Sequence, residues 1–288
     1  MSATGTQRRV LIFGGSGLLG HALRAHLEGS GVEVHAPSRS EAELGSLETL
    51  RAAVARARPS QIVNLAAQAK VDAAEEDPDQ AFRVNALGAQ HCALVAAEAD
   101  LPLVHVSTDY VFDGALGRPL REVDPTGLPP NQYGQSKLLG ERLVRETWRR
   151  HFIVRVAGLF GPGRSGFVDW VVAQARPERP LTIVADRFVT PTYTVDLARQ
   201  LAVLADTPYY GTYHAAGRRP ASWYELACAA LRAAGRDPAG VRPIPDAELP
   251  SRVRRPVYSA LDNHLLRLRG LETLRGWDEG IVEYLRPA

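Results

Sequence analysis

The sequence predicts an α/β protein, a doubly wound parallel sheet followed by a smaller C-terminal α/β lobe. Three observations carry this. An apolar, β-branched run, Arg9–Phe13, stops at a cluster of glycines. Similar runs then alternate with longer helical stretches, the pattern of parallel strands joined by right-handed crossovers. From about Gly158 the elements become shorter.

In order, Arg9–Phe13 reads as a strand and residues 17–29 as a helix with Leu18, Leu19, Ala22, Leu23 and Leu27 on its apolar face. Residues 32–35 form the next strand, Leu47–Ala57 a helix, residues 61–66 a strand and residues 78–99 a long helix. Asp77 and Pro78 supply that helix with its N-cap and first position. A strand at 101–106, a turn-rich stretch, a helix at 131–150 and a strand at 152–156 follow. The later half reads as helices Phe167–Gln174, 194–204, 222–234 and 263–285, the last broken at Gly270 and Gly276, with short strands Leu181–Val184 and Gly211–His214.

Composition excludes several function classes. With 288 residues, 45% hydrophobic, 23% charged and a formal charge of +2, the chain is an ordinary globular protein of one domain or two intimately packed ones. Acidic and basic residues are interspersed, so neither nucleic acid nor a membrane surface is an expected partner. Cys92 and Cys228 are too few and too far apart for a zinc ribbon, a redox pair or a disulfide scaffold. No histidine has metal-ligand spacing, and no metal is expected. Without a signal peptide or membrane span, the expected location is the cytoplasm.

The turn after the first strand reads Gly14-Gly15-Ser16-Gly17-Leu18-Leu19-Gly20. Glycines at 14, 17 and 20 allow a tight turn, close approach to a pyrophosphate and tight packing of the helix on the sheet. In this strand-to-helix context the motif predicts dinucleotide binding, so residues 1–157 are expected to form a Rossmann domain. Residues 158–288 are expected to be mainly a substrate-binding lobe, with some segments returning to the Rossmann core. The second strand ends His35-Ala36-Pro37-Ser38-Arg39-Ser40. A carboxylate at its tip would hold the ribose hydroxyls; instead Ser38 and Arg39 could receive a 2′-phosphate, so NADP(H) is favoured with NAD(H) as the alternative. Arg39 could equally be one more solvated arginine.

Only Lys70 and Lys137 are lysines among 34 basic residues. Lys137 lies four residues after Tyr133, on the same helix face. A neighbouring ammonium favours the phenolate and is expected to bring Tyr133 down from its ordinary value towards acid–base service. A Tyr-x-x-x-Lys on a helix is commonly coincidence, but a slim ammonium that hydrogen-bonds a ribose diol is not replaceable by a guanidinium. At the carboxyl end of the strand at 101–106, Thr108 could polarise a substrate carbonyl; Ser-Thr-Asp there could also be a simple turn or cap.

Together with Asn64-Leu-Ala-Ala-Gln, Asn85, Ser107-Thr-Asp-Tyr-Val-Phe-Asp-Gly, Pro191-Thr192, Asp196-Leu-Ala and Arg254-Arg-Pro-Val-Tyr-Ser-Ala-Leu-Asp262, these motifs resemble the extended short-chain dehydrogenase/reductases. More narrowly they resemble the dTDP-4-dehydrorhamnose reductase family, over the chain from first strand to tail. The resemblance implies NADPH-dependent reduction of a 4-keto nucleotide sugar, with Thr108, Tyr133 and Lys137 catalytic. It implies cofactor contacts at Gly14, Ser16, Gly17, Leu18, Leu19, Gly20, Ser38, Arg39, Ala66, Ala67, Gln68 and Asn85, besides Tyr133 and Lys137. The candidate substrate contacts are Lys70, Val71, Thr108, Asp109, Tyr110, Phe167, Arg254 and Arg255; the last two would take the diphosphate or are surface charge.

The chain departs from the family pattern at Ala69-Lys70-Val71-Asp72, at Gly158 and at Gly45-Ser46-Leu47-Glu48, which bear on the substrate and adenine pockets. Lys70 either contacts a substrate oxygen or is a solvated loop residue. Two alternatives stay open: an epimerase or dehydratase, against which Tyr110 after Asp109 counts, and a cofactor-binding regulatory subunit resembling the methionine adenosyltransferase β-subunit. A homodimer through helices 78–99 and 131–150 could form.

Overall fold

The computed structural model describes residues 8–249 and 253–286. Its strands are β1 (Arg9–Phe13), β2 (Glu33–His35), β3 (Gln61–Asn64), β4 (Leu103–Thr108), β5 (His151–Val156), β6 (Leu159–Phe160), β7 (Leu181–Val184), β8 (Phe188–Val189), β9 (Thr192–Tyr193), β10 (Gly211–His214), β11 (Ala221–Ser222) and β12 (Val241–Ile244). The helices are α1 (Leu18–Gly29), α2 (Leu47–Ala57), α3 (Val71–Glu76), α4 (Pro78–Phe82), α5 (Gly88–Glu98), α6 (Gln132–Thr147), α7 (Phe167–Gln174), α8 (Thr194–Ala205), α9 (Trp223–Ala233), α10 (His264–Leu268) and α11 (Trp277–Leu285).

Six strands form one sheet in the order β10-β5-β4-β3-β1-β2, every pair parallel. Burial on both faces explains why its central strands read as continuous apolar runs rather than alternating ones. One face packs on α1, α8 and α10, where Val10, Ile12, Leu23, Leu197, Leu201 and Leu266 meet. The other packs on α2, α5 and α6 through Leu11, Leu50, Ile62, Cys92, Val95 and Val144. Each such fully buried side chain contributes roughly 1.5–3 kcal/mol of transfer free energy. Residues from 158 onward contribute β10 to the sheet edge and α8 to its face, while α7, α9 and α11 gather around Phe160, Val168, Leu226 and Ile281.

Two departures from the sequence expectation shape the region around the third strand and the helix that follows it. The third strand stops at Asn64, whose side chain accepts from the Ala66 amide at 3.1 Å and bends the chain out of the ladder. The helix expected at 78–99 is interrupted by a π-helical turn, Arg83–Leu87, and is preceded by the separate helix α3. Asp77 divides α3 from α4 by accepting from Gln80 N at 3.0 Å, with Pro78 unable to continue the α3 ladder.

Candidate active site

The carboxyl ends of β1, β3, β4 and β5 open on a cavity of about 630 Å³. It lies where the connections from β1 and β3 diverge, the position at which doubly wound sheets bind ligands. Gly14 has φ +84°, and a Cβ there would lie 2.6 Å from the Ala66 nitrogen; at Gly20 a Cβ would lie 2.6 Å from the Gly14 oxygen. Gly17 N donates to the Gly14 carbonyl at 3.0 Å and closes the turn. As N-cap of α1, Gly17 offers no side chain to the first turn, so the amides near Leu18 and Leu19 carry their positive partial charge to the cavity wall. The cradle admits backbone where side chains would collide, and it fits a dinucleotide diphosphate.

Ser38 and Arg39 line a corner of the cavity. Glu41, which the sequence reading passed over, accepts from the Ser38 amide and from the Ser38 hydroxyl, both at 2.8 Å. These bonds, backbone first, hold its carboxyl below the ordinary value. Gln80, Arg83 and Arg164 also line the cavity. In a chain this rich in arginine, nothing in the sequence marked Arg83 or Arg164 out.

Ser16, Ala66, Ala67, Gln68, Thr108, Asp109, Tyr133 and Lys137 line the same cavity. The Thr108 hydroxyl donates to Asp109 Oδ1 at 3.0 Å and accepts from the Tyr110 amide at 3.2 Å. Ser259, unremarked in the sequence except as part of the C-terminal string, donates to Asp109 Oδ2 at 2.5 Å. Burial pushes the Asp109 carboxyl up to about 6, although these hydroxyls oppose it. The Tyr110 ring meets that of Tyr133 edge-on at 5.8 Å.

Asn131 caps α6 by accepting from Gly134 N at 2.8 Å, and donates to the Arg254 carbonyl at 2.9 Å. Tyr133, Lys137 and Glu141 then follow along one face of that helix. The expectation that Lys137 lowers Tyr133 is corrected here. Burial pushes the phenol up to about 12, with Thr108 opposing. The Lys137 Nζ is directed at the Val106 carbonyl, 2.8 Å away. Burial brings Lys137 itself down to about 8, with Glu141 pulling the other way. Glu141 accepts from Ser107 Oγ at 2.6 Å and from Arg155 Nε and Nη2 at 2.9 and 2.7 Å. Burial works to raise its carboxyl, but Arg155 and Ser107 hold it below the ordinary value.

The remaining candidates lie off the cavity wall. Asn85 is buried one layer behind it, accepting from Gln68 N at 2.8 Å and donating to Gln68 O at 3.2 Å and Ser136 Oγ at 3.0 Å. Lys70 is exposed and Val71 half-buried at the start of α3. Arg254 is exposed, and Arg255 Nη2 binds Asp72 at 2.8 and 3.0 Å. Phe167 packs edge-on against Trp223 at 4.8 Å. Among the described residues, no group of three or more His, Cys, Asp or Glu side chains is placed to hold a metal ion, and no helix is long and apolar enough to cross a membrane.

The family model described as "RmlD substrate binding domain" matches residues 8–288. The chain belongs to this family. It is 40% identical to a dTDP-4-dehydrorhamnose reductase of Streptomyces griseus, covering 96% of this chain and 92% of that protein. It is 36% identical to a dTDP-4-keto-6-deoxy-D-glucose reductase of Streptomyces niveus, covering 96% of each. Among solved structures, the dTDP-4-dehydrorhamnose reductase of Bacillus anthracis in complex with NADP superposes with a TM-score of 0.92 at 32% identity, covering 97% of this chain and 99% of that one. This RmlD-family chain is therefore an oxidoreductase of the NAD(P)H-dependent type.

Proposed function

We propose that this chain reduces the 4-keto group of a dTDP-activated 6-deoxyhexulose with NADPH, as in the conversion of dTDP-4-dehydrorhamnose to dTDP-rhamnose. The observation that carries the reading is a single cavity lined at one end by the glycine turn, Ser38 and Arg39 and at the other by Thr108, Tyr133 and Lys137. The activities named for the Streptomyces relatives support the substrate class.

The Gly14–Gly20 turn and the start of α1 would hold the cofactor diphosphate through backbone amides, and Arg39 would receive the adenosine 2′-phosphate, since Glu41 already takes both Ser38 donors. Bound NADPH supplies the hydride for C4. Tyr133, protonated with its value raised to about 12, keeps its phenolic proton at neutral pH and passes it to the carbonyl oxygen. Lys137 would hold the nicotinamide ribose from the helix face it shares with Tyr133. Thr108 orients the carbonyl beside Tyr133 when Asp109 is protonated and no longer draws its hydroxyl hydrogen. Asn85 steadies the Gln68 backbone that borders the site.

The test compares wild type with Tyr133→Phe, following oxidation of NADPH and of NADH with enzymatically generated dTDP-4-dehydro-6-deoxy-L-lyxo-hexulose. Loss of about 10²–10⁴-fold in kcat is expected on removing the hydroxyl, with NADPH preferred. Undiminished turnover in the variant would refute the role of Tyr133. A wild type that binds NADPH but does not turn over would refute the substrate assignment.

A further inference from the structure

His105 lies on β4, three residues before Thr108, and faces the buried side of α6. Its two ring nitrogens meet two different groups. Nδ1 is 3.1 Å from Asn64 Nδ2, and Nε2 is 3.4 Å from Lys137 Nζ. Asn64 Oδ1 already accepts from the Ala66 amide at 3.1 Å, so the amide is oriented with its NH₂ towards the imidazole. An NH₂ has only hydrogens to offer. Nδ1 must therefore be the accepting nitrogen, and the ring proton resides on Nε2, opposite Lys137. An ammonium there would set donor against donor. A neutral amine, with one lone pair, accepts from Nε2–H and still donates to the Val106 carbonyl at 2.8 Å.

The alternative orientation does not remove the conflict. Turning the ring proton to Nδ1 lets Lys137 donate to Nε2, but Nδ1–H then needs Asn64 Oδ1. The Asn64 NH₂ would swing onto the Ala66 N–H and leave that amide without its acceptor. With Lys137 charged, one donor in the chain is always set against another or left unsatisfied; with Lys137 neutral, its lone pair accepts from Nε2–H and that conflict is gone. Leaving a buried donor unsatisfied is costly enough to bias a protonation equilibrium.

We infer that His105 is a positioning residue for Lys137: fixed by Asn64 in its Nε2-protonated form, it makes the Lys137 amine the titrating end of a hydrogen-bond chain that reaches the cavity wall at Ala66. The other titratable groups acting on Lys137 are Glu141 on its own helix and Cys92 from α5. Glu141 favours the cation. Burial pushes the Cys92 thiol up and keeps it neutral. Burial, then Lys137 and His151, hold His105 well below its ordinary value, so the imidazole does not compete for the proton. Ala66 N lies 2.6 Å from where a Gly14 Cβ would stand, so the far end of the chain is the floor of the glycine cradle. The charge of Lys137 and the hydrogen bonding of that floor are thereby linked.

The scarcity of lysine makes the test direct. Protein labelled with ¹³C,¹⁵N-lysine gives signals from Lys70 and Lys137 alone, and Lys70→Arg assigns them. Wild-type Lys137 is expected to titrate near 8. In His105→Gln, whose side-chain oxygen can accept from an ammonium, its midpoint is expected to rise by about one pH unit or more. An unmoved midpoint in a folded variant overturns the inference. Independently, ¹⁵N-histidine spectra of the wild type are expected to show unprotonated Nδ1 and protonated Nε2 at His105; the opposite tautomer overturns it even where the variant does not fold. Neither readout requires substrate or turnover, so failure here is distinguishable from failure of the ketoreductase reading.

Discussion

Asp109 has both carboxyl oxygens engaged by hydroxyls, Thr108 on one side and Ser259 on the other. While the carboxylate is ionised it draws the Thr108 proton, leaving Thr108 with lone pairs rather than a hydrogen to present to the cavity. Protonation of Asp109 relaxes that demand. The same group leaves a signature in stability. The folded chain holds the Asp109 proton to about pH 6, whereas the ordinary value is 3.8. The folded state therefore binds more protons in that window, and its stability falls as pH rises through it, by on the order of 3 kcal/mol. Asp109→Asn cannot ionise. Its stability relative to wild type, from urea unfolding, is expected to climb as pH rises from below 3.8 to above 6 and then level off. A difference that does not vary with pH would sink this account.

At the scale of elements, the contact between the long helix and α6 carries the loop at Gln68. The π turn Arg83–Leu87 turns Asn85 inwards, and α6 approaches so closely that a Cβ on Gly140 would lie 2.2 Å from the Asn85 carbonyl oxygen. Gly140→Ala must separate the helices, at a cost of about 1–3 kcal/mol. It should also weaken NADPH affinity, because Asn85 holds both backbone polar groups of Gln68. Thermal unfolding and fluorescence titration with NADPH test the pair of effects; lost stability with unchanged affinity would disconnect the helix contact from the site. The difference between what was legible and what was not has a physical basis here. Gly14, Gly17 and Gly20 could be read because steric exclusion dictates the residue type locally. The π turn adds one residue to an otherwise continuous helical pattern, which periodicity over 78–99 does not reveal. Likewise, Tyr133 and Lys137 were placed on one face by helix geometry alone, but the direction of the ammonium depends on Val106 and His105, which a strand distant in sequence supplies.

Over the whole molecule, the sheet is completed by residues far beyond its own alternating segment. β10 covers the edge of β5, and α8 covers the face of α1 and β1 with Leu197, Leu201 and Leu204. The same late strand supports the layer behind the reacting groups: His214 Nδ1 is 2.9 Å from the Leu120 carbonyl, and Nε2 faces Arg155 Nη1 at 3.4 Å. Burial holds this imidazole down to about 3, so it remains neutral and can accept from the guanidinium. Arg155 is thus braced on one side by His214 and on the other by Glu141, the residue one turn beyond Lys137. The point near 157 where the sequence changes texture is, on this argument, not a folding boundary. A fragment of residues 1–157 would expose an unpaired edge on β5 and the apolar side of α1, and would leave the buried Arg155–Glu141 pair without its brace. It is expected to lack the dispersed amide spectrum and cooperative unfolding of the full chain. A fragment that folds cooperatively and binds NADPH would show instead that β10 and α8 serve only the later half of the chain, and that the site needs no support from them.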